Sequence, residues 1–520
     1  VGPEPERRIE TVMTRRRFLG ALALGGTALG GVALGGCSDP PDYVRRAARR
    51  IERTLDPLDP TTAEGRGPEP AAYTPPAPAL SAPTHPDMLP LECDVCVVGG
   101  GAAGFAAAVA AASLGARTTL VEESFMLGGN TTRGLVNLDR VTYGGEVSLV
   151  GGLLREVLMD MESRGEAVYP SAATQFSVPY DADGLRRTLL EKAVTAGVDV
   201  RLGTEMLQVA AEGRRIAAVW ALEQGRLLEI RARLFVDCTG DGHLGYLAGN
   251  GYWLGDRTHG QIQGTTLIFY AGPVDFDRLA AHAEEKGSQS NEYQVIGLRD
   301  FVKQAIKDGA IGGTPQRGLL INRTTKPGVV SISGSESYVD HLSPGTAARI
   351  ATELQEQDFQ IHAALKERVP GFEASGIVRL AERPYLREGR RLIGYKQLTA
   401  EEVLQAIKPA DSVARGWYPI DLHVAYTGGP VHLGQLRSGD WYGIPYACLV
   451  ARDMDNLLMA GRCISVTHEA LGSTRISPVS FALGQAAGVA AALALRAEIP
   501  PADLEAELVR AGVQEQGGFV

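Results

Sequence analysis

The stretch Glu92–Ser124, ECDVCVVGGGAAGFAAAVAAASLGARTTLVEES, decides how this chain folds. Asp94–Val98 is a short apolar run of strand type, followed by Gly99, Gly101 and Gly104 in the spacing GxGxxG. Ala102–Leu114 is rich in alanine and reads as a helix. Arg117–Val121 reads as a second buried strand, ended by Glu122 and followed by Glu123. Each part has a physical task. Gly99 permits a tight turn, Gly101 lets the backbone approach a pyrophosphate, and Gly104 lets the helix pack close to the sheet. The helix opens at Ala102 and Ala103, and unpaired N–H groups with a positive dipole end attract phosphate there. Glu122 stands 23 residues after Gly99 and suits the ribose hydroxyls. Strand, loop, helix, strand and acid in this order predict a doubly wound α/β domain that binds a dinucleotide.

The wider composition fits a globular enzyme. The chain has 520 residues, enough for more than one domain and a large core. Residues up to Arg66 hold 11 Lys and Arg against 9 Asp and Glu, which leaves 40 against 52, a net −12, for the body. An acidic body argues against nucleic acid, whose phosphates need Lys and Arg. Of six cysteines, Cys37 stands alone, while Cys93, Cys96, Cys238, Cys448 and Cys463 lie in apolar stretches. Cys93-x-x-Cys96 falls in a buried strand, where alternation predicts that the pair points to opposite faces. No second CxxC completes a zinc or iron–sulfur site, so no metal is expected.

The N-terminus reads as an address. Arg15, Arg16 and Arg17 precede a 19-residue apolar run, Phe18–Gly36, in which seven residues are glycine. A basic start before a short apolar run is a signal-peptide pattern. TRRRFLG resembles the twin-arginine export motif, and LGGC resembles a lipobox, in which Cys37 becomes a lipidated N-terminus; an uncleaved membrane anchor is the other reading. Val44, Ala48, Ile51 and Leu55 then share a helical face beside Arg45, Arg46, Arg49, Arg50 and Arg53. Such a helix suits either an anionic membrane surface or a solvated tether. Gly67–Pro90 holds eight prolines and reads as an extended linker, so the folded body is expected from about Leu91. The protein is thus expected on the outer face of the cytoplasmic membrane or in the periplasm.

Four further stretches carry a resemblance: LVEESFMLGGNTT (Leu120–Thr132), FVDCTGDGHLG (Phe235–Gly245), YPIDLH (Tyr418–His423) and the long Asn456–Leu495. They resemble the bacterial FAD-dependent oxidoreductase family, itself distantly similar to the flavin subunits of succinate dehydrogenase and fumarate reductase. The resemblance runs from about Glu92 to about Ile499 and its last motif is the most specific. It implies a Rossmann-like FAD-binding domain of the glutathione-reductase and fumarate-reductase flavoprotein type, with an inserted β-meander and a mixed α+β substrate domain. It implies FAD in an extended pose, with Gly128, Gly129, Asn130 and Thr131 toward the flavin. Thr239, Gly240 and Asp241 would return the chain near the adenosine end, and Gly461 and Arg462 would approach the ribityl and pyrophosphate. Distant relatives often carry an acid where this chain has Arg462. A helix starting near Ser477 and Pro478 would aim its N-terminus at the flavin, where its dipole favours the charge of the reduced ring. The implied division is a signal over 1–36, a tether over 37–90, FAD-binding parts over 91–254 and 440–500, a substrate domain over 255–439 and a tail over 501–520.

No second GxGxxG and no cysteine cluster is evident, so electrons are expected to enter or leave at the flavin directly. The flavin carries the redox chemistry and the protein binds, orients and moves protons. His423 is the first candidate for proton transfer because histidine titrates near neutrality; His468 and Arg475 follow. Arg387, Arg390 and Arg391 form a dense basic spot that reads either as a carboxylate clamp or as ordinary salt bridges. The expected reaction is hydride transfer from a small polar substrate, a carbohydrate or organic acid, with a quinone, cytochrome or oxygen as acceptor. Reduction of an activated C=C bond is the reverse variant; a non-enzymatic, membrane-tethered FAD-binding protein is the rival class. A lyase has no visible mechanism here.

Overall fold

The computed structural model describes residue 73 and residues 88–520, apart from 140, 144–146, 149–150, 170–176, 426–428, 435 and 438. The chain divides into Val1–Glu69 and Pro70–Val520. The export signal, Cys37 and the basic helix after it lie outside the described residues.

β1 (Leu89–Val98) runs parallel to β2 (Thr118–Glu122), with α1 (Ala102–Ser113) between them in sequence. β3 (Asp199–Leu202) adds in parallel beyond β2. On the other side, β1 pairs in parallel with β6 (Arg226–Asp237) from Leu89↔Leu228 to Val98↔Asp237. The far edge of β6 serves two partners. Its first half pairs antiparallel with β5 (Arg215–Glu223), which pairs with β4 (Thr204–Glu212), forming the meander. Its last residues pair in parallel with β17 (Leu457–Met459), which brings the C-terminal part of the chain into the sheet. Gly213 and Gly225, both at positive φ, sit at the two meander turns.

The Cys93–Cys96 expectation is overturned. Asp94 and Val95 both donate their N–H groups to the Arg117 carbonyl, and the pairing skips Asp94 and Arg233 together while the β1–β6 register stays unshifted. This paired irregularity breaks the strict alternation in both strands, so Ala232 and Phe235 of β6 also fall on one face. Cys93, Cys96 and Val98 therefore share one apolar face, while Val95 and Val97 occupy the other. Both thiols are free and buried, and the Cys93 thiol bonds the Arg231 carbonyl at 3.9 Å.

A second, antiparallel sheet has the order β8 (Gln289–Ser290), β9 (Gln294–Gly297), β10 (Leu319–Arg323), β11 (Val330–Ser333), β7 (Ile268–Gly272), β12 (Gly376–Leu380). α5 (Phe276–Glu285), α6 (Arg299–Lys307) and part of α7 (Ala347–Arg368) close its own apolar cluster. β14 (Asp421–Val424) precedes the C-terminal run. α8 (His468–Thr474) and α9 (Ser477–Ala497) end that run.

α9 is long and apolar enough to cross a membrane, with mean hydropathy 1.6, yet 83% of that window is buried inside the protein. It is a core helix, and its main partner is α1. A Cβ on Gly484 would lie 2.0 Å from the Ala103 carbonyl oxygen, and one on Gly488 2.2 Å from that of Ala107. Two glycines four apart let these helix backbones touch.

Candidate functional site

A cavity of about 1270 Å³, counting its open mouth, runs along the carboxyl ends of β1, β2 and β6. That edge is where ligands bind in open α/β sheets. At one end lie Glu122, Glu123 and Thr204–Met206, held together where Gly203 donates its N–H to the Ser124 carbonyl. The middle is formed by Gly99, Gly101, Gly128, Gly129 and Thr239–Asp241, and the far end by Ala103, Gly461, Arg462, Arg475, Ser477 and Ser480. Asn130 and Ala102 also line it. Of the predicted cofactor residues, only Gly104, Thr131 and Pro478 do not reach the wall. Gly104 packs behind it, where a Cβ would lie 1.7 Å from the Gly99 carbonyl oxygen. Thr131 Oγ1 donates to the Gly128 carbonyl, and Pro478 lies in the first turn of α9.

The cradle fits a dinucleotide. Gly99 has φ +97° and its Cβ would strike the Cys238 carbonyl at 2.4 Å, whereas a Cβ on Gly101 would meet nothing within 4 Å. The open side of Gly101 therefore faces the space in which a pyrophosphate would lie. Glu122 Oε2 accepts from the Gly100 N–H at 2.7 Å and Oε1 from the Ser124 N–H at 2.9 Å. These bonds fix the carboxylate at the cavity wall and leave lone pairs for hydroxyls. At the far end α9 presents its N-terminus, with Ser477 on the wall.

Arg462 takes three partners: Nε donates to the Gly240 carbonyl at 3.0 Å, Nη1 to the Leu386 carbonyl at 2.6 Å and Nη2 to Asp241 Oδ1 at 2.5 Å. The acid missing beside Gly461 in sequence is thus supplied in space by Asp241. Burial alone would raise the Asp241 carboxyl, but Arg462, with His341, holds it well below the usual carboxylate range.

Tyr385–Leu392 forms a strap between this cavity and the second sheet. Leu386 holds Arg462 and Asn130 through its carbonyl, and Gly389 packs so closely on Asp241 that a Cβ would lie 2.0 Å from Oδ1. The predicted basic spot is internally engaged. Arg387 Nη1 donates to the Gly264 carbonyl at 2.9 Å and Thr266 Oγ1 at 2.7 Å. Arg391 pairs with Glu388 and donates to the Gly255 carbonyl at 2.8 Å. Arg390 lies over the Tyr246 ring at 4.2 Å. Each of the three arginines thus gives at least one terminal nitrogen to an oxygen of the protein itself.

His423 is buried with both ring nitrogens facing carboxylates, Nδ1 2.5 Å from Glu336 Oε1 and Nε2 3.2 Å from Asp421 Oδ2. Arg475 donates to Asp421 Oδ2 at 2.9 Å and to the Tyr385 hydroxyl. Arg475 lines the cavity, so this chain of contacts leads from the cavity wall to Glu336 behind β11. His468 also does not line the cavity. Its Nδ1 lies 2.9 Å from Glu388 Oε2, and its Nε2 is buried with no partner among the described residues. Burial pushes this imidazole down to about 4. Among the described residues no group of acids, histidines and cysteines is arranged to hold a metal.

Glu336, Glu388, Asp421, Tyr385 and Arg383 were not singled out in sequence. Asp421 lies within the quoted YPIDLH stretch and the others lie outside the quoted family stretches, with proximity to basic or histidine-bearing residues as their only signal.

The family described as FAD dependent oxidoreductase matches residues 94–514. This chain belongs to that family. It is an FAD-dependent oxidoreductase with a Rossmann-like FAD-binding fold. A thiamine thiazole synthase from Aeropyrum pernix is 32% identical over 163 residues, 29% of this chain and 55% of that protein. The chain thus spans about half the length of that curated relative. Among solved structures, a geranylgeranyl bacteriochlorophyll reductase-like protein from Thermoplasma acidophilum has TM-score 0.42 at 15% identity, with 82% of this chain and 83% of that one covered. The flavin-dependent brominase Bmp2 has TM-score 0.45 at 12% identity, with 82% and 83% covered.

Proposed function

We propose that this FAD-dependent oxidoreductase works outside the cytoplasmic membrane, where it oxidises a small polar substrate, a carbohydrate or an organic acid, by hydride transfer. The electrons pass to a quinone, a cytochrome or oxygen. Bound FAD would supply the two-electron chemistry at its ring. The chain's residues do the rest. The N-terminus of α1 and the open side of Gly101 receive phosphate, and Glu122 fixes a ribose. The α9 N-terminus directs its positive end at negative charge in the far part of the cavity. Arg475 is locked there by Asp421 and Tyr385 and adds a fixed cation beside it. His423 joins two carboxylates and holds that network in place; His468, fixed by Glu388, keeps one ring nitrogen without a partner among the described residues.

The observation that carries the reading is the far end of the cavity, where a helix N-terminus and a locked arginine converge. The apparent export motif at Arg15–Arg17 and the lipobox-like Cys37 support the location. FAD is made in the cytoplasm, and the twin-arginine route carries folded proteins, which suits a cofactor-loaded cargo. The test is an anaerobic titration of the flavin-loaded protein with sugars, polyols and organic acids, followed in the visible spectrum. Bleaching by one class supports the reading and names the substrate. Bleaching by none, with reoxidation of the chemically reduced protein by an activated alkene, would replace it with a C=C reductase.

A further inference from the structure

The cavity wall carries three arginines, and two are spent. Arg462 divides its donors among Gly240, Leu386 and Asp241, and Arg475 gives its terminal nitrogens to Tyr385 and Asp421. Arg383 is different. Among the described residues its ion pair is a single contact of 3.4 Å, Nη1 to Glu123 Oε1. That oxygen already binds Arg133 at 2.8 Å, and the Glu123 side chain is 57% exposed, so Arg383 has a shared and solvated counter-ion.

Its position is also informative. Glu123 marks the Glu122 end of the cavity, while Asp241 in the middle, and Arg462 bonded to it from the far end, act on the Arg383 guanidinium. The backbone beside it is fixed, because the Glu382 N–H donates to the Arg133 carbonyl at 2.8 Å. Arg383 therefore lies on the wall between the Glu122 end and Asp241. Burial, and then Arg462, push its guanidinium down from the ordinary value, as befits a cation short of an anion. A ligand with its ribose at Glu122 places its two phosphate charges in this section. The α1 N-terminus offers them only about half a unit charge, and no other uncommitted arginine or lysine lines the cavity among the described residues.

We propose that Arg383 is the residue that binds the pyrophosphate of FAD. The inference rests on the FAD assignment and is independent of which substrate is oxidised. A guanidinium fork matches two phosphate oxygens, so lysine would replace it only in part.

The test uses the full chain stripped of flavin, as wild type, R383A and R383K. Each is titrated with FAD, ADP and riboflavin, by flavin fluorescence and calorimetry. R383A should weaken FAD and ADP by about 10- to 100-fold, the loss of one charge-assisted contact. R383K should fall between. Riboflavin, which has no phosphate, should bind all three equally. FAD affinity should also fall more steeply with salt in the wild type than in R383A. FAD binding within about twofold of wild type in R383A overturns the proposal, as does an equal loss for riboflavin. If R383A does not fold, the ratio of FAD to riboflavin affinity in R383K decides. A wild type that binds no FAD at all would overturn the cofactor assignment of the cavity itself.

Discussion

At the scale of the residue, Gly99 and Gly101 show one amino acid used for two reasons. Gly99 is required by conformation, with φ +97° and a carbonyl 2.4 Å from where a Cβ would stand. Gly101 is required by what must lie beside it, since its own Cβ would be unobstructed. Two substitutions should therefore separate. Gly99→Ala should lower the stability of the flavin-free protein by about 2 kcal/mol or more, read by urea unfolding. Gly101→Val should leave that stability within about 0.5 kcal/mol and still lose FAD binding by at least about tenfold. A Gly101→Val protein that binds FAD normally would mean the pyrophosphate lies elsewhere. Asp241 makes a second prediction. Its folded carboxyl is held far below the ordinary value by Arg462. It therefore contributes stability above its unfolded pKa, near 4, and that contribution fades as pH falls below it. Asp241→Asn should cost about 3 kcal/mol at pH 7 by leaving Arg462 buried without its anion. It should also flatten the loss of stability between pH 5 and pH 3. An unchanged slope in Asp241→Asn would show that the pair does not carry the acid sensitivity.

At the scale of the element, the fold depends on two small-residue helices meeting at the backbone. α1 and α9 touch through Gly484 and Gly488, and each helix opens at the same cavity. Gly488→Ala should push them apart, since a methyl cannot share 2.2 Å with a carbonyl oxygen. A loss of about 2 kcal/mol or more in urea unfolding is expected, with weaker FAD binding because both N-termini move. A Gly488→Ala protein as stable as wild type would mean that α9 can slide without cost. These elements were legible early. The β1–α1–β2 unit is local, its residues lie within one short stretch, and periodicity with glycine spacing reports it directly. α9 was legible as a helix, although its composition alone would equally suit a membrane. The irregularity at Asp94 was not legible, because it arises where β1 meets Arg117 and β6, and no residue type demands it. The acid and arginine partners of the site were hidden for the same reason. Asp241 and Arg462 are 221 residues apart, and Glu336 and His423 are 87 apart. A sequence shows that such groups exist but not which pairs the fold brings together. The basic spot at Arg387–Arg391 illustrates the cost: its density suggests a clamp, whereas each of the three arginines bonds an oxygen of the protein itself.

At the scale of the whole molecule, the site is built by folding distant parts of the chain into one core. The main apolar cluster includes α1 and α9, and also Ile268 and Tyr270 of β7 and Ile350 and Leu354 of α7. The strap then ties the second sheet to the cavity through Leu386 and Gly389, and Arg475, Asp421, His423 and Glu336 form a second tie. With a shared core and two polar ties, neither sheet can melt without exposing apolar surface of the other. The flavin-loaded protein should therefore unfold in one calorimetric transition rather than two. Free FAD at about 100 times its Kd should stabilise that whole transition by about 2.7 kcal/mol. For a unit of this size, that corresponds to a rise in Tm of about 3 °C. His423→Leu would leave Glu336 and Asp421 buried without their shared imidazole, at a cost of about 3 kcal/mol or more. Because that tie joins the two sheets, the same variant should broaden or split the transition, with only the upper or lower part still responding to FAD. Two transitions in the wild type, with one indifferent to FAD, would show that the sheets are energetically separate and that the ties serve the site alone. A single transition that moves as a unit would mean that cofactor binding is felt as far as the second sheet, through the same residues that set the wall of the cavity.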